Sequence, residues 1–88
     1  MDDKKLVKIL KAMGNERRLD ILRRIVKGKK VSVGYLSEKM DLSFKSVSKH
    51  LMVLLNADLV EAEQVRFQRI YSISNNFPKN LLGSVIGL

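Results

Sequence analysis

The chain has no cysteine, no tryptophan, a single histidine and a single proline among its 88 residues. Without cysteine it can form no disulfide, no thiolate metal site and no thiol redox switch. One histidine cannot supply a closed zinc or nickel site. We therefore expect neither a metal ion nor another cofactor.

Longer patterns are missing as well. No apolar run approaches the roughly 20 residues that a membrane span requires, and the lysine-containing N-terminus has no continuous apolar stretch of the kind found in signal peptides. There is no glycine-rich phosphate loop, no nucleophile elbow and no pair of histidines for metal-assisted hydrolysis. The sequence predicts a cytoplasmic protein that is not an enzyme and has no membrane partner.

Positive charge is abundant. The chain has 17 Lys and Arg against 9 Asp and Glu, a net charge of +8, and its hydrophobic content is 45%. This composition is typical of one small globular domain. An excess of Lys and Arg favours a nucleic-acid partner, because cations that contact phosphates release counterions, although a membrane surface or another anionic partner would also accept such a charge.

The most informative stretch runs from Leu42 to Val60. At 3.6 residues per turn its apolar and polar side chains separate into two faces, and Ser43 precedes the first turn as a candidate N-cap. The predicted inner face has Phe44, Val47, Leu51 and Leu54, and the outer face has Lys45, Ser46, Lys49 and Asn56. A shorter helical pattern, Val33 to Met40, ends three residues upstream. Two helices joined by so short a turn predict a helix-turn-helix, whose second helix enters the DNA major groove.

The remaining segments extend this motif. Asn15 and Ser32 are candidate helix caps, Gly28 closes the second helix, and Asp58 stands where a left-handed residue is expected. In chain order, the predicted elements are helix 3–13, a helix after Asn15, a short strand at 31–32, helix-turn-helix 33–57, wing 59–74 with its tip near Arg66, and helix 78–88. The predicted fold is mainly α with a small β-hairpin, a winged helix-turn-helix in a single domain of residues 1–88.

In this order of elements, three segments resemble the ArsR-type repressors, dimeric winged-helix transcription regulators of bacteria and archaea. They are Met13–Leu22, the run Val47–Leu51 continuing to Ala57–Val60, and Arg69–Ile73 at the end of the wing. The resemblance implies a homodimer whose terminal helices form the interface, with the recognition helix facing the groove. Metal-responsive members of that family use Cys, or clusters of His and carboxylates, which this chain lacks.

The predicted DNA-binding residues are hydroxyls and basic groups on the recognition motif and the wing: Ser43, Lys45, Ser46, Ser48, Lys49, His50, Arg66 and Arg69. The predicted dimer interface consists of apolar residues of the two terminal helices: Leu6, Ile9, Leu10, Met13, Leu81, Leu82, Val85 and Ile86. The apolar helix that reaches Leu88 is short, which is also consistent with a truncated piece of a longer chain.

Several residues have two interpretations. His50 either contacts phosphate or makes a structural hydrogen bond, and the second is favoured because it lies at the flank of its helix. Arg18 either contacts phosphate or binds a carboxylate within the domain. Tyr71 is expected at the edge of the core. Phe67 either enters the minor groove or folds back on its own hairpin, the interpretation we favour.

The predicted function is that of a sequence-specific regulator that binds double-stranded DNA as a homodimer and represses by occupying a promoter. Two alternatives remain. Apolar Met52 and Leu55 on the recognition helix suit a protein-interaction module with a protein partner, and the basic face suits a sequence-tolerant architectural protein. Specific affinity and its salt dependence distinguish them.

Overall fold

The computed structural model describes the backbone of residues 1–86 and the side chains of residues 1–85. Three antiparallel strands form one sheet in the order β1-β3-β2. The elements, in chain order, are α1 (Asp3–Met13), α2 (Glu16–Gly28), β1 (Val31–Ser32), α3 (Val33–Met40), α4 (Phe44–Asn56), β2 (Val60–Val65), β3 (Gln68–Ile73) and α5 (Lys79–Ile86). The predicted winged helix-turn-helix, mainly α with a small hairpin, is confirmed.

Polar side chains define where three of the helices begin. The Ser43 hydroxyl accepts from the backbone N–H of Ser46 at 3.1 Å, and that of Ser32 accepts from Tyr35 at 3.0 Å. Asn15 Oδ1 accepts from the Arg18 backbone N–H at 3.0 Å. Each bond satisfies an amide that the first turn of a helix leaves free. The three predicted caps are therefore confirmed.

One apolar core orients the helix-turn-helix. Val47, Leu51 and Leu54 of α4 are fully buried, as are Leu36 of α3 and Leu59 after the turn that follows α4. From the other side, α2 contributes Ile21, Leu22 and Ile25. Full burial of such side chains stabilises the fold by about 1.5–3 kcal/mol each. Since this face of α4 is anchored inward, the opposite face of α4 is necessarily presented to solvent.

Phe44 departs from the predicted inner face, because it is 61% exposed. It is the first residue of α4, and its ring lies against Gly34 of α3, where an added Cβ would be 3.7 Å from Phe44 Cε2. The 3.6-residue periodicity gives the direction of a side chain but not how far along the helix the core extends. Here the core reaches Val47 but not the first residue of α4.

α2 ends at Gly28, as expected, although Gly28 is not the residue with a left-handed backbone. The residue with a left-handed backbone is Lys29, at φ 68. Gly28 is instead required by a close approach, because a Cβ there would lie 2.8 Å from Cγ1 of Val31. The missing side chain lets β1 follow α2 within three residues and places Val31 opposite Tyr71 of β3.

A polar network fixes the turn between α4 and the wing. Asp58 adopts φ 56, the left-handed conformation predicted for it. Its carboxylate accepts from Asn76 Nδ2 and from the Ser74 hydroxyl, each at 2.9 Å. These two bonds lower the pKa of Asp58 because they favour the charged form, and the bond from Asn76 has the larger effect. They connect the end of α4 to the end of the hairpin.

The terminal helices are only partly available to a partner. Ile9 and Val85, which were predicted at the dimer interface, are buried inside the single chain because they pack into its core. Met13, Leu81 and Leu82 are half-buried against that core. The predicted contact of Ile86 lies outside the described side chains, and positions 87 and 88 of the predicted last helix lie outside the described residues.

Exposed apolar surface on α1 consists of Leu6, Val7 and Leu10, which we call the α1 stripe. Within residues 1–86, none of the helices has both the length and the apolarity needed to cross a membrane.

Candidate nucleic-acid interface

The outward face of α4 has the basic and hydroxyl groups expected of a recognition helix. Lys45 and Lys49 are exposed one helical turn apart, Ser48 is exposed beside them, and Ser46 is half-buried. Both cations extend from the N-terminal half of α4. In helix-turn-helix proteins this part of the helix contacts base edges.

Ser43, which was predicted both to cap α4 and to contact DNA, has a structural role in the first of these. Its oxygen already accepts the Ser46 amide as the cap of α4, yet the residue is exposed. The hydroxyl hydrogen can therefore still be donated to a phosphate. A helix N-terminus is itself favourable for a phosphate, because its amides and dipole present positive charge.

The wing ends in a tight turn of two residues. The ladder of β2 and β3 closes with Val65 opposite Gln68, which leaves Arg66 and Phe67 at the tip. Arg66 adopts φ 56, and the side-chain amide of Gln64 donates to its carbonyl at 3.0 Å. Arg66 is exposed at the tip of the hairpin. Phe67 was expected to fold back on the hairpin, and this is wrong, because its side chain is 99% exposed.

A groove of about 390 Å³ separates the recognition helix from the wing. Phe44 and Ser48 line it on the α4 side, and Gln68 and Arg69 line it on the wing side. Gln64 and Phe67 belong to the same rim. α4 and the wing tip therefore border the same groove.

Arg69 is positioned by an aromatic neighbour on the same strand. Its guanidinium carbon lies 5.8 Å from the centre of the Tyr71 ring, within the range of a cation–π contact. Tyr71 is 6% exposed, so the predicted place at the core edge is confirmed. The contact orients Arg69 at the groove while leaving the residue exposed.

His50 lies on the opposite flank of α4 from the wing, where it contacts α2. Arg18 Nη1 is 3.3 Å from His50 Nδ1. A guanidinium can only donate, so Nδ1 accepts and His50 is neutral in this contact. Burial lowers the pKa of His50, and the charges of Arg18 and Arg17 lower it further. This is the structural hydrogen bond favoured from the sequence.

Arg18 does not bind a carboxylate within the described part of the chain, and its alternative contact with phosphate stays a prediction. Its Nε donates to the Ala12 carbonyl at 2.6 Å, and its Nη2 donates to the Lys11 carbonyl at 3.3 Å. These acceptors belong to the last turn of α1, where carbonyls lack partners within the helix. Arg18 thus joins α1, α2 and α4 through one side chain.

Sequence reasoning missed Arg17 as a possible DNA contact. It is exposed in the first turn of α2, near enough to α4 to lower the pKa of His50. Arg17 therefore extends the basic surface on the flank of α4 that faces away from the wing. The only signal in the sequence was a pair of adjacent arginines after the cap, which equally describes a solvated helix face.

The candidate cations are not neutralised within the described part of the chain. Its ion pairs there are Arg24 with Asp20 at 3.0 Å and Lys30 with Glu63 at 3.1 Å. The second pair neutralises an acid on the wing itself. Among residues 1–85, whose side chains are placed, no group of three or more His, Cys, Asp or Glu is arranged to hold a metal ion.

Comparison with known proteins agrees with this geometry. Residues 15–62 match the family described as "Bacterial regulatory protein, arsR family". The chain is 37% identical over 78 residues to "Transcriptional activator HlyU" of Vibrio cholerae, covering 89% of this chain and 71% of that relative.

Solved structures are also similar. One of HlyU from Vibrio cholerae is 34% identical, covers 100% of both chains and has a TM-score of 0.82. NolR from Sinorhizobium fredii is 33% identical with a TM-score of 0.80, over 93% of this chain and 81% of that one. The homodimeric winged helix-turn-helix DNA-binding domain Mb0332 from Mycobacterium bovis, 22% identical over 97% of this chain and 81% of its own, shares the fold with a TM-score of 0.80.

Proposed function

The chain belongs to the ArsR family of bacterial regulatory proteins, and from that premise we propose that it acts as a homodimer on specific chromosomal operators in the cytoplasm. It is a DNA-binding transcriptional regulator. The proposed mode of action is promoter occupancy, which represses wherever the operator overlaps the promoter. No catalytic step is part of this proposal.

The observation that carries the proposal is the shared orientation of two basic features. Phe44 and Ser48 of α4 and Phe67 and Arg69 of the wing line one groove. Lys45 and Lys49 are exposed on the same helix, and Arg66 is exposed at the same wing tip. We assign α4 to the major groove, where Lys45, Ser48 or Lys49 contacts a base edge. The wing is assigned to the backbone and the adjacent minor groove, where contacts position the protein without specifying most of the sequence.

The α1 stripe supports the homodimer. Leu6, Val7 and Leu10 are 40%, 47% and 51% exposed, a cluster that a second copy would remove from water. The homodimeric domain from Mycobacterium bovis has the same fold. A two-fold dimer presents two copies of α4 to half-sites about 34 Å apart, or a small multiple of that distance.

The test begins with selection of genomic DNA fragments bound by the purified protein, followed by measurement of affinity for the selected operator and for random DNA. We expect Lys49→Ala to weaken operator binding by roughly 1–3 kcal/mol and to change base preference at one position. Lys79→Ala is the matched control, because Lys79 is an exposed lysine at the start of α5. Equal losses on operator and random DNA for every substitution on α4 would contradict base reading by this helix.

A second function is favoured by one observation. Met52 and Val53 on α4 are 54% and 39% exposed, whereas Leu55, which was expected beside Met52, is half-buried against the core. The two exposed side chains suit an apolar protein partner. Absence of DNA affinity at low salt would favour this protein-interaction role, whereas equal affinity for all sequences with a steep salt dependence would favour an architectural role.

A further inference from the structure

Phe67 is the most exposed large apolar side chain among the residues whose burial is described. Its side chain is 99% accessible, although β3, which begins at the next residue, buries Tyr71 only four positions further on. An aromatic ring in this position gains nothing from the fold of its own chain. The ring is therefore available to a contact outside the chain.

The surroundings of Phe67 select the chemistry of that contact. Arg66 precedes it at the tip, and Arg69 follows at the start of β3. Glu63, the acid of β2 nearest in sequence to the tip, forms an ion pair with Lys30. The tip therefore presents an apolar ring between two cations, a combination that suits the minor groove of a duplex, where phosphates flank stacked bases.

The tip is also held in place. The six paired positions of β2 and β3 end directly at the turn, and Gln64 holds the Arg66 carbonyl at 3.0 Å. β1 pairs with the middle of β3, at Ile70 and Tyr71, so the wing is connected to Ser32, which caps α3. Phe67 is thus presented at a fixed position relative to α4, on the rim of the same groove.

We propose that Phe67 is a wedge that enters the minor groove beside the α4 half-site, partly unstacks one base step and kinks the operator. This inference rests on the proposed function. Apolar side chains that act in this way bend DNA by about 20–90°. Pyrimidine–purine steps unstack most easily, so the wedge adds a preference for such a step at a position where no hydrogen bond reads the bases.

The experiment uses the full chain and selected operator duplexes in which 2-aminopurine replaces one adenine at a time under the wing. Wild-type protein should raise the fluorescence of 2-aminopurine at a single step and bring the ends of a doubly dye-labelled duplex closer together. Phe67→Ala should lose both signals, and Phe67→Leu, which keeps an apolar wedge, should retain them. Because Phe67 is fully exposed, both variants should unfold at the denaturant midpoint of the wild type.

Two further variants make the assignment specific. Val65→Ala removes an apolar side chain from the same hairpin, 47% exposed, and should leave both signals unchanged. Arg66→Ala should flatten the dependence of affinity on salt, whereas Phe67→Ala should not, because Phe67 is uncharged. Unchanged fluorescence and bending in Phe67→Ala would overturn the wedge while leaving operator recognition intact. A wild-type protein that selects no DNA would overturn the proposed function itself.

Discussion

Arg18 and His50 form a polar contact between α2 and α4 beside the apolar core that orients α4. Arg18 donates hydrogen bonds to two carbonyls in the last turn of α1 and also to His50 on α4. Lys or Gln at position 18 lacks the geometry to serve all three acceptors, because only a guanidinium presents several donors in one plane. One side chain of α2 thus adds hydrogen bonds to both α1 and α4 beside the apolar core.

This contact predicts a pH dependence. Burial and the two arginines lower the pKa of His50 below its ordinary value of 6.5, so folding favours neutral histidine. Its contribution to stability is present above about pH 6.5 and is lost as pH falls through the lower folded-state pKa. We expect His50→Gln to lose less stability than the wild type over this range, as measured by urea unfolding at several pH values. Parallel curves for the two proteins would contradict this.

What the sequence could not reveal at this scale is the partner of each polar residue. Arg18 was expected to meet a phosphate or a carboxylate, yet it binds backbone carbonyls that only the fold brings near. Phe67 was expected to fold back, because an exposed aromatic is costly and no local pattern indicates otherwise. His50 was assigned correctly to a structural bond because its position on the helical wheel already placed it at the flank.

At the scale of elements, local chemistry made the boundaries predictable. Ser32 and Ser43 begin α3 and α4 because each satisfies an amide of the first turn, and such a bond depends only on residues three apart. The inner face of α4 followed from periodicity at Val47, Leu51 and Leu54. The exposure of Phe44 did not follow from periodicity, because the extent of the core is set by α2 and α3, which the local pattern of α4 does not include.

The turn after α4 allows a matched comparison. Asp58 and Asp41 both have left-handed backbones, at φ 56 and φ 53. Asn tolerates this conformation, so Asp→Asn isolates the side chain. We expect Asp58→Asn to lower the free energy of unfolding by about 1–2 kcal/mol, because the carboxylate accepts two hydrogen bonds. Asp41→Asn should change the free energy by less than about 0.5 kcal/mol, the usual range for surface changes.

Low pH should remove the difference in the free energy of unfolding between wild type and Asp58→Asn. The lowered pKa of Asp58 means that its contribution is present above its ordinary value of 3.8 and is lost as pH falls through the folded-state pKa. Urea unfolding of wild type and Asp58→Asn should therefore converge as the pH is lowered below about 3.8. A constant difference at all pH values would show that the charge of Asp58 is not the stabilising feature.

At the scale of the whole molecule, the α1 stripe should control assembly. Leu10→Glu places a charge at the centre of the apolar contact proposed between two copies, so we expect a monomer at tens of micromolar in sedimentation experiments. Met52→Glu introduces the same charge at a site of similar exposure, 54% against 51%, on α4. It should leave the dimer intact and weaken DNA binding. A dimer in both variants would contradict the assignment of the interface to α1.

The amino-acid composition predicts how DNA binding by the whole molecule responds to metal ions. With no cysteine and one histidine, the chain lacks the residues that ArsR-type metal sensors use, so we expect metal-independent operator binding. Any switch then requires another ligand or partner that distinguishes the free from the bound state, and otherwise protein concentration sets occupancy. After chelation, zinc, nickel, cadmium and arsenite are titrated separately into the protein–operator complex, with the chelator restored at the end as the control for reversibility. Affinity should stay within a factor of about ten at micromolar metal; a larger reversible change, more than about 1.4 kcal/mol of coupling, would establish a metal site that this composition does not predict.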